Sequence, residues 1–183
     1  MLLKGQKMVI TFEISGVPFG KQRPYVVRGR NGVHGIKRKE SILHENLARE
    51  AWHQAINLKQ EFDWDISLDL TAYYPIPKKS WPQWKQNAAR FGYIRPNRKG
   101  PSKPDVDNVA KWVMDSLNPN KIGHKAIPNS GIYADDGQVV HLSIDSYYSD
   151  DPRTVVRIEA TPKPDMNEIK KKVKERLKQN DEI

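Results

Sequence analysis

The stretch Lys103-Pro104-Asp105-Val106-Asp107-Asn108-Val109-Ala110-Lys111 sets two carboxylates and a lysine at the mouth of a helix. Pro104 disfavours helix at the residue before it and suits a first turn, while Val109, Trp112, Val113 and Leu117 recur at helical spacing. The spacing predicts a helix over 107–117. With Asp105 still in the extended approach and Asp107 as the cap, both carboxylates can converge at the helix N-terminus, with Lys111 one turn along on the Asp107 face. The competing reading is structural: the acids cap free amides, and Asp107 and Lys111 form an ordinary i,i+4 surface pair. A second acidic point, Asp135-Asp136, stands between apolar residues and a run that alternates as a strand. Asp136-Gly137 on its own also fits a type I′ hairpin turn. Taken together, three or four carboxylates from two segments, a lysine and no cysteine are the ligand chemistry of a hard cation such as Mg²⁺.

The same residues carry a resemblance. Asp105-Val106-Asp107-Asn108-Val109-Ala110-Lys111, with Asp115 ahead of Ser116-Leu117, then Tyr133-Ala134-Asp135-Asp136-Gly137-Gln138-Val139, resembles the RusA family of Holliday junction resolvases. The paired pattern, D-x-D-N-x-x-K-x-x-x-D-x-L and then D-D-x-Q-[VI], is far more specific than either half. The resemblance implies an endodeoxyribonuclease dependent on Mg²⁺, with Mn²⁺ as an alternative. Such an enzyme resolves four-way junctions by paired symmetric cuts in recombination and repair, as a homodimer. It implies that Asp105, Asp107 and Asp136 carry the metal, that Asp135 stands beside them, and that Lys111 is the catalytic lysine. The match covers about a quarter of the chain, with apparent insertions at 78–104 and 118–131. Two other readings stand beside it: a non-catalytic DNA-binding protein whose acids are caps and turns, and a nuclease for flaps or other branched DNA.

The elements that must position these groups follow from periodicity. Met8 to Ile14 alternates as a strand, and Lys21 to Gly35 suggests a hairpin with its tip at Asn31-Gly32. From Lys39 to Leu58, Leu43, Leu47, Ala48, Ala51, Ala55 and Leu58 share one helical face with Trp52 flanking it, so that face is expected in the core. His44 and His53 lie nine apart on this helix, a spacing that separates them and argues against a ligand pair. Ile66 to Tyr74 reads as a half-buried strand with Asp69 on its solvent side. The stretch Lys78 to Lys85 starts a short helix, with Pro82 near its first turn, that continues to about Phe91. Asn118 to Ser130 is a polar loop that delivers Tyr133 to Asp136, with His124 a weak candidate for substrate contact. Val139 to Ile144 and Thr154 to Ala160 form a final strand pair turned at Tyr147 to Pro152. Met166 to Lys178 is a lysine-rich helix with Ile169, Val173 and Leu177 on one side. The expectation is an α+β domain, a mixed β-sheet packed against helices over 1–164, with a loosely docked C-terminal helix or tail over 165–183.

Composition narrows the partners. The 183 residues suffice to bury about 70% of the unfolded surface. The absence of cysteine excludes disulfides, thiolate zinc sites and cysteine nucleophiles, and the five histidines show no ligand spacing. No apolar run approaches a membrane span and Met1 to Ile10 lacks the form of a signal peptide, so the expectation is a cytoplasmic protein with no membrane partner. The net charge of +9 is concentrated: Lys21 to Lys39 holds seven basic residues and Lys78 to Lys103 eight, with no acid in either stretch, leaving 16 basic against 22 acidic residues elsewhere. Such stretches suit a polyanion, or else are simply solvated loops. The candidate DNA contacts are Lys21, Arg23, Arg28, Arg30, Lys37 and Arg38 in the first, and Arg95, Arg98, Lys99 and Lys103 in the second. Trp81, Trp84, Phe91 and Tyr93 interleave with cations, a mixture that suits unpaired bases; the alternative, favoured for Trp81 and Trp84, is that the tryptophans cover the sheet.

Overall fold

Strand alternation is the feature from which the rest of the architecture follows. The computed structural model describes residues 7–22, 24–29, 32–36, 38–55, 64–96, 104–119, 121–122, 125–127, 130–163 and 165–180. In chain order these form β1 (Met8–Ser15), β2 (Tyr25–Gly29), β3 (Gly32–Ile36), α1 (Lys39–Ala55), β4 (Trp64–Pro75) and α2 (Gln83–Arg90). There follow α3 (Val106–Leu117), β5 (Lys121–Ile122), β6 (Lys125–Ala126), β7 (Val139–Ser149), β8 (Arg153–Pro162) and α4 (Met166–Asn180). Four strands make one mixed sheet in the order β1-β8-β4-β7, as an α+β fold requires. Strand β4 is antiparallel to β8 but parallel to β7, because the long crossover through α2 and α3 returns the chain to the starting edge.

One face of the sheet is the core. Ile10, Phe12, Ile66, Leu68, Leu70, Val156 and Ile158 point inward beneath α1 and α3, which contribute Ala48, Trp52, Val109, Trp112, Val113 and Leu117. Each large apolar side chain so buried stabilises the fold by about 1.5–3 kcal/mol. The opposite face is polar. Ser143 Oγ and Arg157 donate to Asp69 at 2.6 and 3.0 Å, and Lys7 donates to Glu159 at 2.6 Å. The Ser143 hydrogen bond, followed by Arg157, holds the Asp69 carboxyl below its ordinary range, and Asp69 is on the solvent side as expected.

Three expectations are corrected. Helix α1 buries Ser41, Glu45, Ala48 and Trp52 instead of the leucine face, leaving Leu43 58% and Leu47 42% exposed. Trp52, the largest fully buried side chain, sets the rotation, and the smaller Ala48, Glu45 and Ser41, one, two and three turns earlier, follow it inward. The stretch 56–58 of that predicted helix lies outside the described residues. Strands β7 and β8 are not a pair: β4 runs between them, and both strands extend further than their alternation suggested. The β2–β3 register pairs Gly29 with Gly32, so Gly32 is a strand residue and not part of the tip expected at Asn31-Gly32.

Candidate active site

The acidic helix entry forms much as its sequence suggests, shifted by two residues. Asp105 is the N-cap position of α3 in extended conformation, Val109 N donates to the Asp105 carbonyl at 3.1 Å, and Asp107 sits in the first turn. The Asp105 side chain makes no capping hydrogen bond, which leaves the capping explanation of this acid without its contact. Asp107, Lys111 and Asp115 follow at intervals of four along α3, with Asp107 and Lys111 exposed, while Val109, Ala110, Trp112, Val113 and Leu117 are buried.

The segment between β1 and β2 crosses this entry at Gly20 and Lys21. Lys21 N donates to the Asn108 carbonyl at 3.1 Å, and the Lys21 ammonium forms an ion pair with Asp115, both side chains being less than one-third exposed. Gly20 allows the close passage, since a Cβ there would collide with Cβ of Pro104. Phe19 stacks on His44 of α1 at 4.0 Å, and both rings meet Trp112 edge-on. Burial lowers the His44 pKa, opposed by Glu40, and its stacking on Phe19 and edge contact with Trp112 make this imidazole a packing group. Residues 17–22, His44, Pro104 and Asn108 line a cleft of about 400 Å³ at the helix entry.

The second acidic point is a 3₁₀ turn, Asp136–Gln138, and not a hairpin, since β7 pairs in parallel with β4 and has no antiparallel partner in front of it. Asp135 caps that turn by accepting from Gly137 N at 2.8 Å. Gln138 closes it from the other side: its carbonyl oxygen accepts from Ala134 N at 2.9 Å and its amide donates to the Trp64 carbonyl at 2.9 Å. Tyr133, fully buried, donates its hydroxyl to the Met114 carbonyl at 2.9 Å and thereby ties the acidic turn to α3. Burial raises the Tyr133 pKa well above the ordinary phenol range, and the charges of Asp136, Asp115 and Asp135 raise it further. Tyr74 stands in the same relation to the other end of the helix: its hydroxyl lies 3.5 Å from the Pro104 carbonyl, and burial, with Asp105, pushes its pKa up to about 12.

The charges of Asp115, Asp135 and Asp136 act on Tyr133, and that of Asp105 acts on Tyr74. Among the described residues, no three Asp, Glu or His side chains are gathered closely enough to hold one metal ion. In donor chemistry the acids fit a hard divalent cation, since every donor is a carboxylate oxygen and no thiolate competes. Sequence reasoning gave no role to Gln138, Tyr133 or the Lys21–Asp115 pair; the glutamine in the second motif was the one visible signal.

The basic candidates divide likewise. Arg28 and Arg38 are exposed. Lys21 faces Asp115, and Arg95 lies over the Tyr147 ring at 3.7 Å while its guanidinium donates to the Ser146 carbonyl at 3.0 Å. Arg23, Arg30, Lys37, Arg98, Lys99, Lys103 and His124 lie outside the described residues.

The sequence model of a protein family described as endodeoxyribonuclease RusA matches residues 15–159, most of the chain. The chain is also 40% identical over 94 residues to the uncharacterized protein YqaN of Bacillus subtilis (strain 168), covering 51% of this chain. It spans 56% of the length of that curated relative.

Proposed function

The chain belongs to the RusA endodeoxyribonuclease family, and on that premise we propose that it is a divalent-metal-dependent nuclease that resolves four-way DNA junctions. Asp105, Asp107 and Asp136 would hold Mg²⁺ or Mn²⁺, with Asp135 beside them. The bound cation would polarise the scissile phosphate and acidify the attacking water. Lys111, one turn along the exposed face of α3, would stabilise charge developing on the leaving oxygen; losing one such donor costs on the order of 10²–10³ in rate. Gln138 and Tyr133 hold the turn that presents Asp136, and Asp135, committed to its cap, is the acid with the smaller role.

The observation that carries this reading is the division of labour among the acids. Asp135 caps the turn and leaves Asp136 exposed, and Asp107 and Lys111 stand exposed one turn apart on α3. An acid needed only to cap the turn would be Asp135 alone. The dispersed carboxylates favour a second reading, a non-catalytic binder of branched DNA. One experiment separates the two. Junction, flap and linear duplex are bound in Ca²⁺ and then given Mg²⁺. A resolvase cuts the junction at paired, symmetric positions, and Asp105→Asn, Asp107→Asn or Asp136→Asn abolishes cutting with binding largely intact. Normal turnover by Asp107→Asn or Asp136→Asn overturns the assignment.

Two symmetric cuts need two copies of a site, so the working unit is a two-fold homodimer acting on cellular DNA. Mixed dimers of wild-type and Asp107→Asn chains then nick one strand. A monomer in sedimentation, both alone and on a junction, refutes this.

A further inference from the structure

Helix α2 and the turn after it carry aromatic rings for which the sequence pattern offers two roles, stacking on unpaired bases or, for Trp81 and Trp84, cover over the sheet. Trp81 is only partly exposed and meets the Tyr148 ring edge-on at 5.1 Å, so it covers the sheet as the structural alternative required. Trp84, Phe91 and Tyr93 do not: they are 69%, 72% and 82% exposed. Large aromatic surface left in water on so small an insertion marks a contact site.

The rings are held in place. Gly92 takes the left-handed conformation (φ 79°) that closes the C-terminus of α2, with Gly92 N donating to the Ala89 carbonyl at 3.0 Å and Tyr93 N to the Ala88 carbonyl at 2.9 Å. This closure normally turns the residue after the glycine back onto the helix; Tyr93 instead faces solvent, its ring 6.4 Å from that of Phe91 at 69°. Arg90 is bonded to Asp150 at 2.6 Å and Ala89 is buried, so the underside of α2 is anchored while its outer side is displayed.

The charge around the rings selects the occupant. Between residues 78 and 96 there are five cations, Lys78, Lys79, Lys85, Arg90 and Arg95, and no acid, offset in part by Asp145 and Asp150 from β7. Exposed rings in a cationic field suit unpaired nucleic-acid bases, whose faces stack while their phosphates meet the cations. Tyr148, which Trp81 touches, is the register partner of Tyr74, and Tyr74 reaches Pro104 beside Asp105. The insertion therefore stands at the same end of the sheet as the acidic entry of α3.

We propose that Trp84, Phe91 and Tyr93 form a stacking platform for unpaired DNA bases next to the candidate active site. The proposal rests on DNA being the substrate and not on cleavage. It is tested with a fluorescein-labelled oligo(dT) of about 8 nucleotides, within the span one such surface engages. The buffer contains EDTA, and a duplex of equal length is the control. Wild-type protein binds oligo(dT) with quenching of tryptophan emission. Trp84→Ala and the Phe91→Ala/Tyr93→Ala pair each weaken oligo(dT) binding by about 5- to 150-fold per stacked base lost, leaving duplex affinity and thermal stability unchanged. Equal weakening for both DNAs, or none, overturns the platform. So does loss of self-association in the Trp84→Ala variant with oligo(dT) affinity intact, which would make the rings a protein interface. Selective loss of oligo(dT) by a protein that cuts no branched DNA would sustain the platform and sink the nuclease reading.

Discussion

Replacing Lys21 by methionine decides whether this cation grips DNA or builds the site. Methionine keeps most of the apolar stem and removes the ammonium. The structure directs that ammonium at the buried Oδ2 of Asp115, which has no other donor among the described residues. Exposed ion pairs contribute about 0–1 kcal/mol, and stripping one partner from a fully buried pair costs about 3–5 kcal/mol. With side chains 29% and 20% exposed, solvent screens part of the penalty, and an intermediate loss of roughly 1–2 kcal/mol follows. For a chain of this size that lowers Tm by about 3–7 °C. Adding Asp115→Asn to Lys21→Met removes the stranded charge, so the double variant recovers part of the loss. Calorimetry supplies Tm, and anisotropy of a labelled junction in Ca²⁺ supplies the dependence of log affinity on log salt. An unchanged Tm together with a slope shallower by about 0.9 would show Lys21 on a phosphate and refute the structural assignment.

Lys111→Ala should lower single-turnover cleavage on the order of 10²–10³-fold with metal affinity near normal, and a large drop in junction affinity with unchanged chemistry would make Lys111 a binding residue. Tyr74 predicts an alkaline limb: its folded pKa of about 12 exceeds the ordinary value of 10, so its contribution is complete below pH 10 and is lost as pH rises towards 12. The loss is roughly 3 kcal/mol. Tyr74→Phe should flatten urea-derived stability over that interval, and an unaltered profile refutes the assignment. In α1, Trp52→Ala should cost about 3–5 kcal/mol and Leu43→Ala less than about 0.5 kcal/mol by denaturant titration; the reverse order would restore the leucine face to the core.

What could be read from residue order was what neighbouring residues decide among themselves. Alternation located β1 and β4 because successive side chains on a strand must point to opposite faces, and α3 was legible from Val109, Trp112, Val113 and Leu117 because a helix repeats its face every three to four residues. The two acidic motifs were legible for the same reason, since each lies within a few consecutive residues. Rotation of α1 was not, because its apolar residues offer more than one plausible stripe and only contact with β1 and α3 chose the one containing Trp52. Nor was the insertion of β4 between β7 and β8, which depends on backbone hydrogen bonds between segments some seventy or more residues apart. The setting of the acids was likewise a tertiary outcome: the Tyr133 hydroxyl ties the Asp135-Asp136 turn to Met114 of α3, and Tyr74 meets Pro104 at the helix's other end. Such distances are set by packing across the chain, on which local spacing is silent.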